Sequence, residues 1–364
     1  MAIKYFRSLG VRCKMGLISS QIHRVNLYFG DGKDGRNSRG YEKVTLMGGD
    51  SQKDLRSLIK SLPPNNNNGE DDVKGATTTT SIHFTSDDSL TAARREKKLL
   101  ETKGEGKTAR VGRVAVLDAA NRKHVGGSGM RPYGGSQEEA LIRQSNLYWL
   151  INPSYNSHLR GQCNKILGDT SHHIPYFGAI YAQDVTFLPD HNYDNIPKKS
   201  RDAHSEGKKS KPSMDSNQAI QLDVIAAAFI DLREKSDEWR FCSWTKSKIE
   251  YVILRKIEAI LGAAAAGHCT SLVLAAIGCG VFARNPRLIG MLEGEIVLSS
   301  STNYNTTQRS SLAVARLVGA CFAQVLKAPP FVNRFDRVVF AIAYNEPMLE
   351  AFKVAFEERW TRII

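Results

Sequence analysis

The sequence has no closely spaced pair of cysteines, and this absence excludes two classes of protein. Its 6 cysteines are widely scattered, at positions 13, 163, 242, 269, 279 and 321. A disulfide-stapled scaffold or a zinc ribbon needs pairs at short, regular spacing. The pattern is typical of a reducing compartment, so we expect an intracellular protein of the cytoplasm or nucleus.

A long uninterrupted apolar run is also missing. The most apolar stretch, Ile257–Phe282, is broken by His268, Thr270 and Ser271, whereas a membrane-spanning helix needs roughly 20 predominantly apolar residues. We therefore expect no membrane partner. With 41% hydrophobic and 24% charged residues in 364 positions, the composition is that of a folded soluble protein.

Acidic residues are absent before Asp31, while 50 Lys+Arg against 37 Asp+Glu give the whole chain a net charge of +13. Residues 1–60 hold 12 Lys+Arg and 5 Asp+Glu, which is +7 of that total. A basic, acid-poor start is consistent with a mitochondrial-type targeting segment, an arm that contacts a polyanion, or a solvated extension. Charge alone does not justify direct DNA readout, so none is expected.

Composition divides the chain into three parts. We expect a basic, partly disordered extension over 1–61, a low-complexity linker over 62–88 that contains four consecutive Asn, and one folded domain over 89–364. Surface insertions are predicted near 190–218 and 287–308. No internal repeat is present.

Within the folded part, strand-like and helix-like segments alternate. Helices are predicted at Leu90–Thr102, Glu138–Leu150, Lys246–Ala266 and Ser311–Leu326, and strands at Gly112–Ala119, Gly178–Phe187, Leu272–Ile277 and Arg337–Ala343. The apolar segment Leu222–Ile230 is of ambiguous type. This alternation favours an α/β fold with a mostly parallel sheet covered on both faces, and such sheets bind ligands at the carboxyl ends of their strands.

Two of the predicted strands run directly into glycine turns. Val114–Asn121 is followed by Gly126-Gly127-Ser128 and then by Gln137-Glu138-Glu139 at a helix start. The second segment, Leu272–Ile277, is followed by Gly278-Cys279-Gly280-Val281-Phe282. Glycine turns let a backbone approach a ligand closely, and their N–H groups can bind a diphosphate. The alternatives are an acidic first turn that answers the helix dipole and a tight turn with an inert Cys279.

The string AN-x4-GGS-x8-QEE resembles the GGG-x6–8-QEE motif of poly(ADP-ribose) glycohydrolases. The blocks RQSNLY, IYAQDV, GCGVFARNP and RVVFAI follow in the order of the microbial-type branch and extend the resemblance over about 113–343. It implies a macrodomain-like fold, a three-layer α/β/α sandwich with a mixed, mostly parallel sheet.

The resemblance also implies roles for individual residues. Glu139 would be the catalytic acid and Glu138 would hold the distal ribose or support Glu139. The implied ADP-ribose-binding residues are Asn121, Gly126, Gly127, Ser128 and Gln137 from the first segment and Gly278, Cys279, Gly280, Val281 and Phe282 from the second. No metal and no cofactor are implied, since one glutamate would serve first as acid and then as base.

The implied activity is hydrolysis of ribosyl–ribose bonds in poly(ADP-ribose), and the implied partners are that polymer or ADP-ribosylated proteins. Two alternatives stay open: a non-catalytic ADP-ribose reader, and a hydrolase of mono-ADP-ribosyl substrates. The chain departs from the family pattern by having Ser128 in place of the third glycine, a bulky Arg131-Pro132-Tyr133 within the loop, and the insertion after the second turn.

Overall fold

A computed structural model describes residues 25–29, 79–103, 112–127, 135–167, 173–189, 219–241, 243–292, 304–343 and 345–363. Its centre is a seven-stranded sheet in the order β1-β4-β5-β3-β6-β7-β2. The strands are β1 (Val25–Phe29), β2 (Ser81–Thr85), β3 (Arg113–Ala119), β4 (Gly178–Phe187), β5 (Ile220–Ala227), β6 (Cys269–Leu274) and β7 (Arg337–Ala341).

The sheet is mixed but mostly parallel. The pairs β5–β3, β3–β6, β6–β7 and β7–β2 are parallel, whereas β1–β4 and β4–β5 are antiparallel. Parallel neighbours point their carboxyl ends to the same edge, so the turns that follow β3, β5 and β6 lie side by side. The predicted sheet type is confirmed.

Helices cover both faces of this sheet. They are α1 (Ser89–Lys103), α2 (Gln137–Arg143), α3 (Leu147–Ile151), α4 (Ser157–Leu167), α5 (Asp237–Phe241), α6 (Lys246–Ala266), α7 (Arg287–Leu292), α8 (Thr306–Lys327) and α9 (Glu346–Arg362). Side chains of α6, α8 and α9 form one apolar core with the sheet, and side chains of α1 to α4 form the other. The architecture is the predicted three-layer α/β/α sandwich.

Alternation along β3 explains why two cores are needed. Ala115 and Leu117 face the core of α6 and α8, while Val114 and Val116 face the core of α1 and α2. A strand buried on both faces reads as a continuous apolar run, and that is how Val114–Leu117 reads in the sequence.

Two strands arise in segments that composition assigned elsewhere. Ser81–Thr85 lies in the predicted linker but pairs in parallel with β7, and its Phe84 ring stacks on Phe340 at 5.4 Å. Val25–Phe29 lies in the predicted extension but pairs with β4. The sheet therefore begins before residue 89. These strands were not predicted, because a five-residue strand is too short to be recognised beside polar low-complexity sequence.

One predicted helix is two helices. The expected helix over Glu138–Leu150 is interrupted between α2 and α3. There the Asn146 side chain accepts a hydrogen bond from the backbone N–H of Thr186 at 3.0 Å, and Ser145 forms a β-bridge to Phe187. Contact with β4 thus replaces the helical hydrogen bonds at this point.

The other predicted elements agree in type, and the ambiguous segment Leu222–Ile230 holds strand β5. Helix α8 is long and apolar enough to cross a membrane, but most of its apolar window is buried within the fold against α6, α7 and α9. The insertion near 287–308 contributes α7 and the first turn of α8. The insertion near 190–218 and most of 1–88 lie outside the described residues.

Candidate functional site

The first residue of helix α2 contacts the end of β3 in space, through a hydrogen bond from the Ala119 N–H to Gln137. This contact positions two glutamates. Ser136 caps the helix: its hydroxyl accepts from the Glu139 N–H, and the Glu139 carboxylate accepts from the Ser136 N–H at 3.3 Å. Reciprocal bonds of this kind fix the first helical turn. Glu138 and Glu139 are thereby held inward, with only 2% and 5% of their surface exposed.

The first glycine turn lies directly on these two carboxylates. Glu138 accepts hydrogen bonds from the backbone N–H of Gly126 at 2.8 Å and of Asn121 at 2.9 Å. A β-carbon added to Gly127 would lie 3.1 Å from Oε1 of Glu139. Both glycines have positive φ, +83° and +73°, a conformation that side chains disfavour. The structure therefore brings together the two halves of the motif that the sequence separates by eight residues.

Asn121 shapes the start of the same turn. Its side-chain oxygen accepts from the backbone N–H groups of Lys123 at 2.9 Å and His124 at 3.0 Å. Among the residues that the structure describes, no acceptor receives the Asn121 side-chain N–H groups. The side chain thus has donors available at the site where the resemblance implies a ribose.

Gln137 is bound to the protein rather than turned toward a ligand. Its amide oxygen accepts from the Ala119 N–H at 2.8 Å, and its amide nitrogen donates to the Ser89 hydroxyl at 2.9 Å and to the Leu117 carbonyl. These three bonds fix α2 on β3. The geometry gives no support to the expected ADP-ribose contact of Gln137 and makes it a residue that positions the glutamates.

The second glycine turn follows β6, the neighbour of β3 in the sheet. Gly278 has a φ of +80°, and a β-carbon there would lie 1.8 Å from the Phe229 ring. The backbone N–H groups of Gly280, Val281 and Phe282 donate to no acceptor in the described part of the chain, and Val281 is 51% exposed. Backbone N–H groups without an acceptor at an exposed turn can bind an anion.

Two residues of the implied binding set, Cys279 and Ser128, add no side-chain contact that the structure describes. Cys279 is fully buried, and burial raises the pKa of its thiol far above the ordinary range. A buried thiol of this kind is inert, so only the backbone of Cys279 can serve the turn. Ser128 lies outside the described residues, and so does the Arg131-Pro132-Tyr133 stretch.

Asp118, the last but one residue of β3, is a buried acid that sequence reasoning did not assign to the site. It has no exposed surface, and neither carboxylate oxygen has a hydrogen-bond partner among the described residues. Burial raises the pKa of Asp118 to about 7. The available signal was a single carboxylate within the apolar run from Val114 to Ala120.

The electrostatics of Glu138 depend on Asp118. Burial first, and the charge of Asp118 second, raise the pKa of Glu138 to about 9, although the two backbone N–H bonds favour its ionised form. Two carboxylates close together in a buried site cannot both ionise easily. Burial and the neighbouring acid thus disfavour the ionised form of Glu138.

A buried lysine joins the segment that follows β5 to the segment that precedes β4. Lys256 of α6 donates to the Ala228 carbonyl after β5 at 2.9 Å and to the Tyr176 carbonyl before β4 at 2.5 Å. Burial lowers the pKa of Lys256 to about 7, opposed by the charge of Glu238. Sequence reasoning missed it, although Lys256 falls at helical spacing on the apolar face that Ile249, Ile253 and Ile260 mark.

Among the residues that the structure describes, no three His, Cys, Asp or Glu side chains lie close enough together to hold a metal ion. The geometry offers an acidic pair under one glycine turn and, beside it, a second turn with backbone N–H groups that have no acceptor among the described residues. Together with the three-layer sandwich, this defines the class as a macrodomain-like α/β protein with a candidate ligand site at its strand ends.

A comparison with known families gives a match over part of the chain. Residues 39–190 match the model of the microbial-type PARG catalytic domain, PARG being poly(ADP-ribose) glycohydrolase. The match contains the first glycine turn and the two glutamates and ends before the second turn. The resemblance seen in the motifs is thereby confirmed, and the chain is similar to microbial-type poly(ADP-ribose) glycohydrolases.

Solved structures agree with this fold. A poly(ADP-ribose) glycohydrolase from Thermomonospora curvata is 21% identical, with a TM-score of 0.51 over 94% of this chain and 88% of that chain. One from Deinococcus radiodurans, in complex with ADP-ribose, is 19% identical, with a TM-score of 0.53 over 97% of this chain and 100% of that chain. Among curated proteins, no match was found.

Proposed function

We propose that this protein is a poly(ADP-ribose) glycohydrolase, a glycosidase that releases ADP-ribose from the polymer. The observation that carries the proposal is the Gly126-Gly127 turn seated on Glu138 and Glu139. The family match over these same residues supports it. The second turn, whose Gly280 and Val281 N–H groups have no acceptor among the described residues, would hold the diphosphate.

The chemistry requires one group that gives and then takes a proton. Breaking the bond between the ribosyl C1″ and the leaving oxygen creates an oxocarbenium-like state, and the leaving oxygen must gain a proton. In our proposal Glu139 donates this proton and then removes one from the water that attacks the ribosyl carbon. Glu138, held by Asn121 and Gly126, faces the distal ribose as a hydrogen-bonding group.

The released molecule would be a terminal ADP-ribose, and the partners would be poly(ADP-ribose) or ADP-ribosylated proteins. The same pocket would suit a reader of ADP-ribose or a hydrolase of mono-ADP-ribosyl substrates. The retained pair of glutamates favours catalysis, because a reader needs no proton donor at the reacting bond.

The test compares ADP-ribose release from purified polymer by wild-type protein and by Glu139→Gln, with calorimetric binding of free ADP-ribose to both. We expect release to fall about 10²–10⁴-fold in Glu139→Gln while binding persists. Glu357→Gln, an exposed position on α9, is the matched control and should retain wild-type release.

Other outcomes separate the alternatives. Wild-type binding without release from polymer would favour a reader of ADP-ribose. Release only from a mono-ADP-ribosylated protein would favour a hydrolase of mono-ADP-ribosyl substrates. Equal release by wild type and Glu139→Gln would remove Glu139 from the mechanism.

A further inference from the structure

The segment that follows β5 lies against the second glycine turn. Leu232, which is fully buried, donates from its backbone N–H to the Phe282 carbonyl at 3.0 Å. Its own carbonyl accepts from the side-chain amide of Asn285, also fully buried, at 2.7 Å. Three residues earlier, the Phe229 ring fills the space beside Gly278. Hydrogen bonds from both backbone groups of Leu232 therefore attach this segment to the turn and to the residues just after it.

Arg233 extends this contact from the backbone to the Phe282 side chain. Its guanidinium carbon lies over the Phe282 ring, 5.3 Å from the ring centre, within the distance at which a cation is attracted to an aromatic face. A side chain of this length ordinarily occupies many rotamers. Here Asp231 restrains it, because Nε of Arg233 donates to Oδ1 of Asp231 at 2.8 Å and Nη2 donates to Oδ2. Two parallel bonds of this kind fix the plane of a guanidinium.

Asp231 is itself held by the protein. Its backbone N–H donates to the Glu238 carboxylate at 2.6 Å, and its carbonyl accepts from the Ser236 hydroxyl at 2.6 Å. Hydrogen bonds therefore connect the start of α5 to the guanidinium that lies over Phe282. Because the Phe282 ring is only partly buried, packing alone restricts its rotamers less than it restricts those of a core ring. The contact with Arg233 supplies a further restraint.

We propose that Arg233 is a positioning residue for the ADP-ribose site, which holds the Phe282 ring in the orientation that ADP-ribose requires. The inference rests on the proposed function of the same site, in which Phe282 is one of the ADP-ribose-binding residues. Arg233 acts through the ring, since Asp231 binds two of its guanidinium nitrogens while Phe282 lies against its face. The charge of Asp231 also offsets that of Arg233, so the pair adds little net attraction for a diphosphate.

The test is a double-mutant cycle on ADP-ribose affinity, measured by calorimetry on the full chain with wild type, Arg233→Ala, Phe282→Leu and the double variant. We expect Arg233→Ala to weaken binding about 2- to 5-fold, as for the loss of an exposed cation–π contact. In the Phe282→Leu background the same substitution should have no further effect, because the ring through which it acts is absent. The matched control is Arg287→Ala, which removes an exposed arginine paired with Glu234 at 3.0 Å and should keep wild-type affinity.

A second measurement follows the ring without any ligand. In protein labelled at phenylalanine, the aromatic NMR signal of Phe282 is identified by its absence in Phe282→Leu. We expect this signal to shift in Arg233→Ala and to stay in place in Arg287→Ala. This measurement decides the proposal if Phe282→Leu alone abolishes measurable binding.

The opposite results overturn the proposal. Wild-type affinity in Arg233→Ala, with only the thermal stability lowered, would make Arg233 a purely structural residue. An equal loss of affinity with and without the Phe282 ring would mean that Arg233 contacts the ligand directly. An unchanged Phe282 signal in Arg233→Ala also contradicts the proposal. Failure of the proposed function is distinguishable, because wild type itself would then bind no ADP-ribose.

Discussion

Asp118 and Asp223 are buried acids on the neighbouring strands β3 and β5, and their surroundings are opposite. Asp223 accepts from the Arg113 guanidinium at 2.7 Å, from the Tyr181 hydroxyl at 2.6 Å and from the Asp184 N–H at 2.9 Å. Asp118 accepts from none of the described residues. In register Asp223 pairs with Ala115, so the two acids are separated by three strand positions, about 10 Å.

The difference shows how one sheet divides stability from function. Near the start of β3 the buried charge has a cation and several donors, which is the condition under which a buried acid is tolerated. At the carboxyl end the protein buries Asp118, an acid that has no donor in the described part of the chain. A group left in such a state is costly to the fold and useful to a site. The following changes test this contrast.

The largest effect is expected from Asp223→Ala. It removes a buried acceptor shared by Arg113 and Tyr181 and leaves Asp184 as the acid that still pairs with Arg113, which should lower the free energy of unfolding by about 3 kcal/mol. Urea denaturation measures the change. The control is Asp231→Ala, whose ion pair with Arg233 is partly exposed and should cost about 1 kcal/mol or less. A loss in Asp223→Ala no larger than in this control would contradict the role of the network.

Two glycine variants test the comparison between the amino and carboxyl ends of the parallel strands. In Gly278→Ala the new methyl group would overlap Phe229 in a backbone with φ of +80°, so we expect a loss of about 2 kcal/mol or more together with weaker ADP-ribose binding. In Gly267→Ala the methyl group would meet the Tyr181 ring 2.2 Å away, which should lower stability but leave ADP-ribose affinity unchanged.

Thermal unfolding and calorimetric titration with ADP-ribose measure the two quantities. Gly290→Ala serves as control, because a β-carbon there meets nothing within 4 Å and alanine suits helix α7. If Gly267→Ala weakened ADP-ribose binding as much as Gly278→Ala, the assignment of ligand binding to the carboxyl ends of the strands would be wrong.

The smallest effect concerns the pH dependence of stability. Since the pKa of Asp118 is raised from 3.8 to about 7 in the folded protein, the folded state binds a proton that the unfolded state has released. The free energy of unfolding should therefore fall as pH rises from about 4 to about 7. Asp118→Asn removes this loss and should be more stable than wild type at pH 8, by on the order of 2 kcal/mol.

Urea denaturation at pH 4, 6 and 8 measures the effect. Glu138, whose pKa is raised to about 9, contributes a similar fall that extends to higher pH in both proteins. A destabilised Asp118→Asn at pH 8 would mean that the amide breaks contacts that the acid makes.

Much of the fold was predictable because the local pattern and the tertiary structure agree. The helix over Lys246–Ala266 has the predicted bounds, since its apolar residues recur at spacings of three and four and glycine follows it. The strands at 113–119 and 178–187 were equally clear. Strand β2 escaped notice because five residues with modest apolar content become a strand only through pairing with β7.

The candidate site was predictable in part. The glycine turns and the glutamates were recognisable as strings, and their meeting at one edge of the sheet follows from parallel strands. The role of Gln137 was not, because an amide can face a ligand or a backbone with equal ease. The buried states of Asp118 and Lys256 were also hidden, since a charged residue is recognised as buried only once its neighbours are known.

The sequence by itself determined the alternation of strands and helices, the two glycine turns and the family motif, because these depend on local spacing and residue type. Only the tertiary structure decided which acids are paired. Asp223 and Asp118 are both single carboxylates within apolar strands, and nothing in their local sequence separates them. Arg113, Tyr181 and Asp184 come together around Asp223 from three places along the chain, and among the described residues no such group reaches Asp118. The physical reason is that burial and charge compensation are properties of the packed fold, whereas periodicity is a property of the chain.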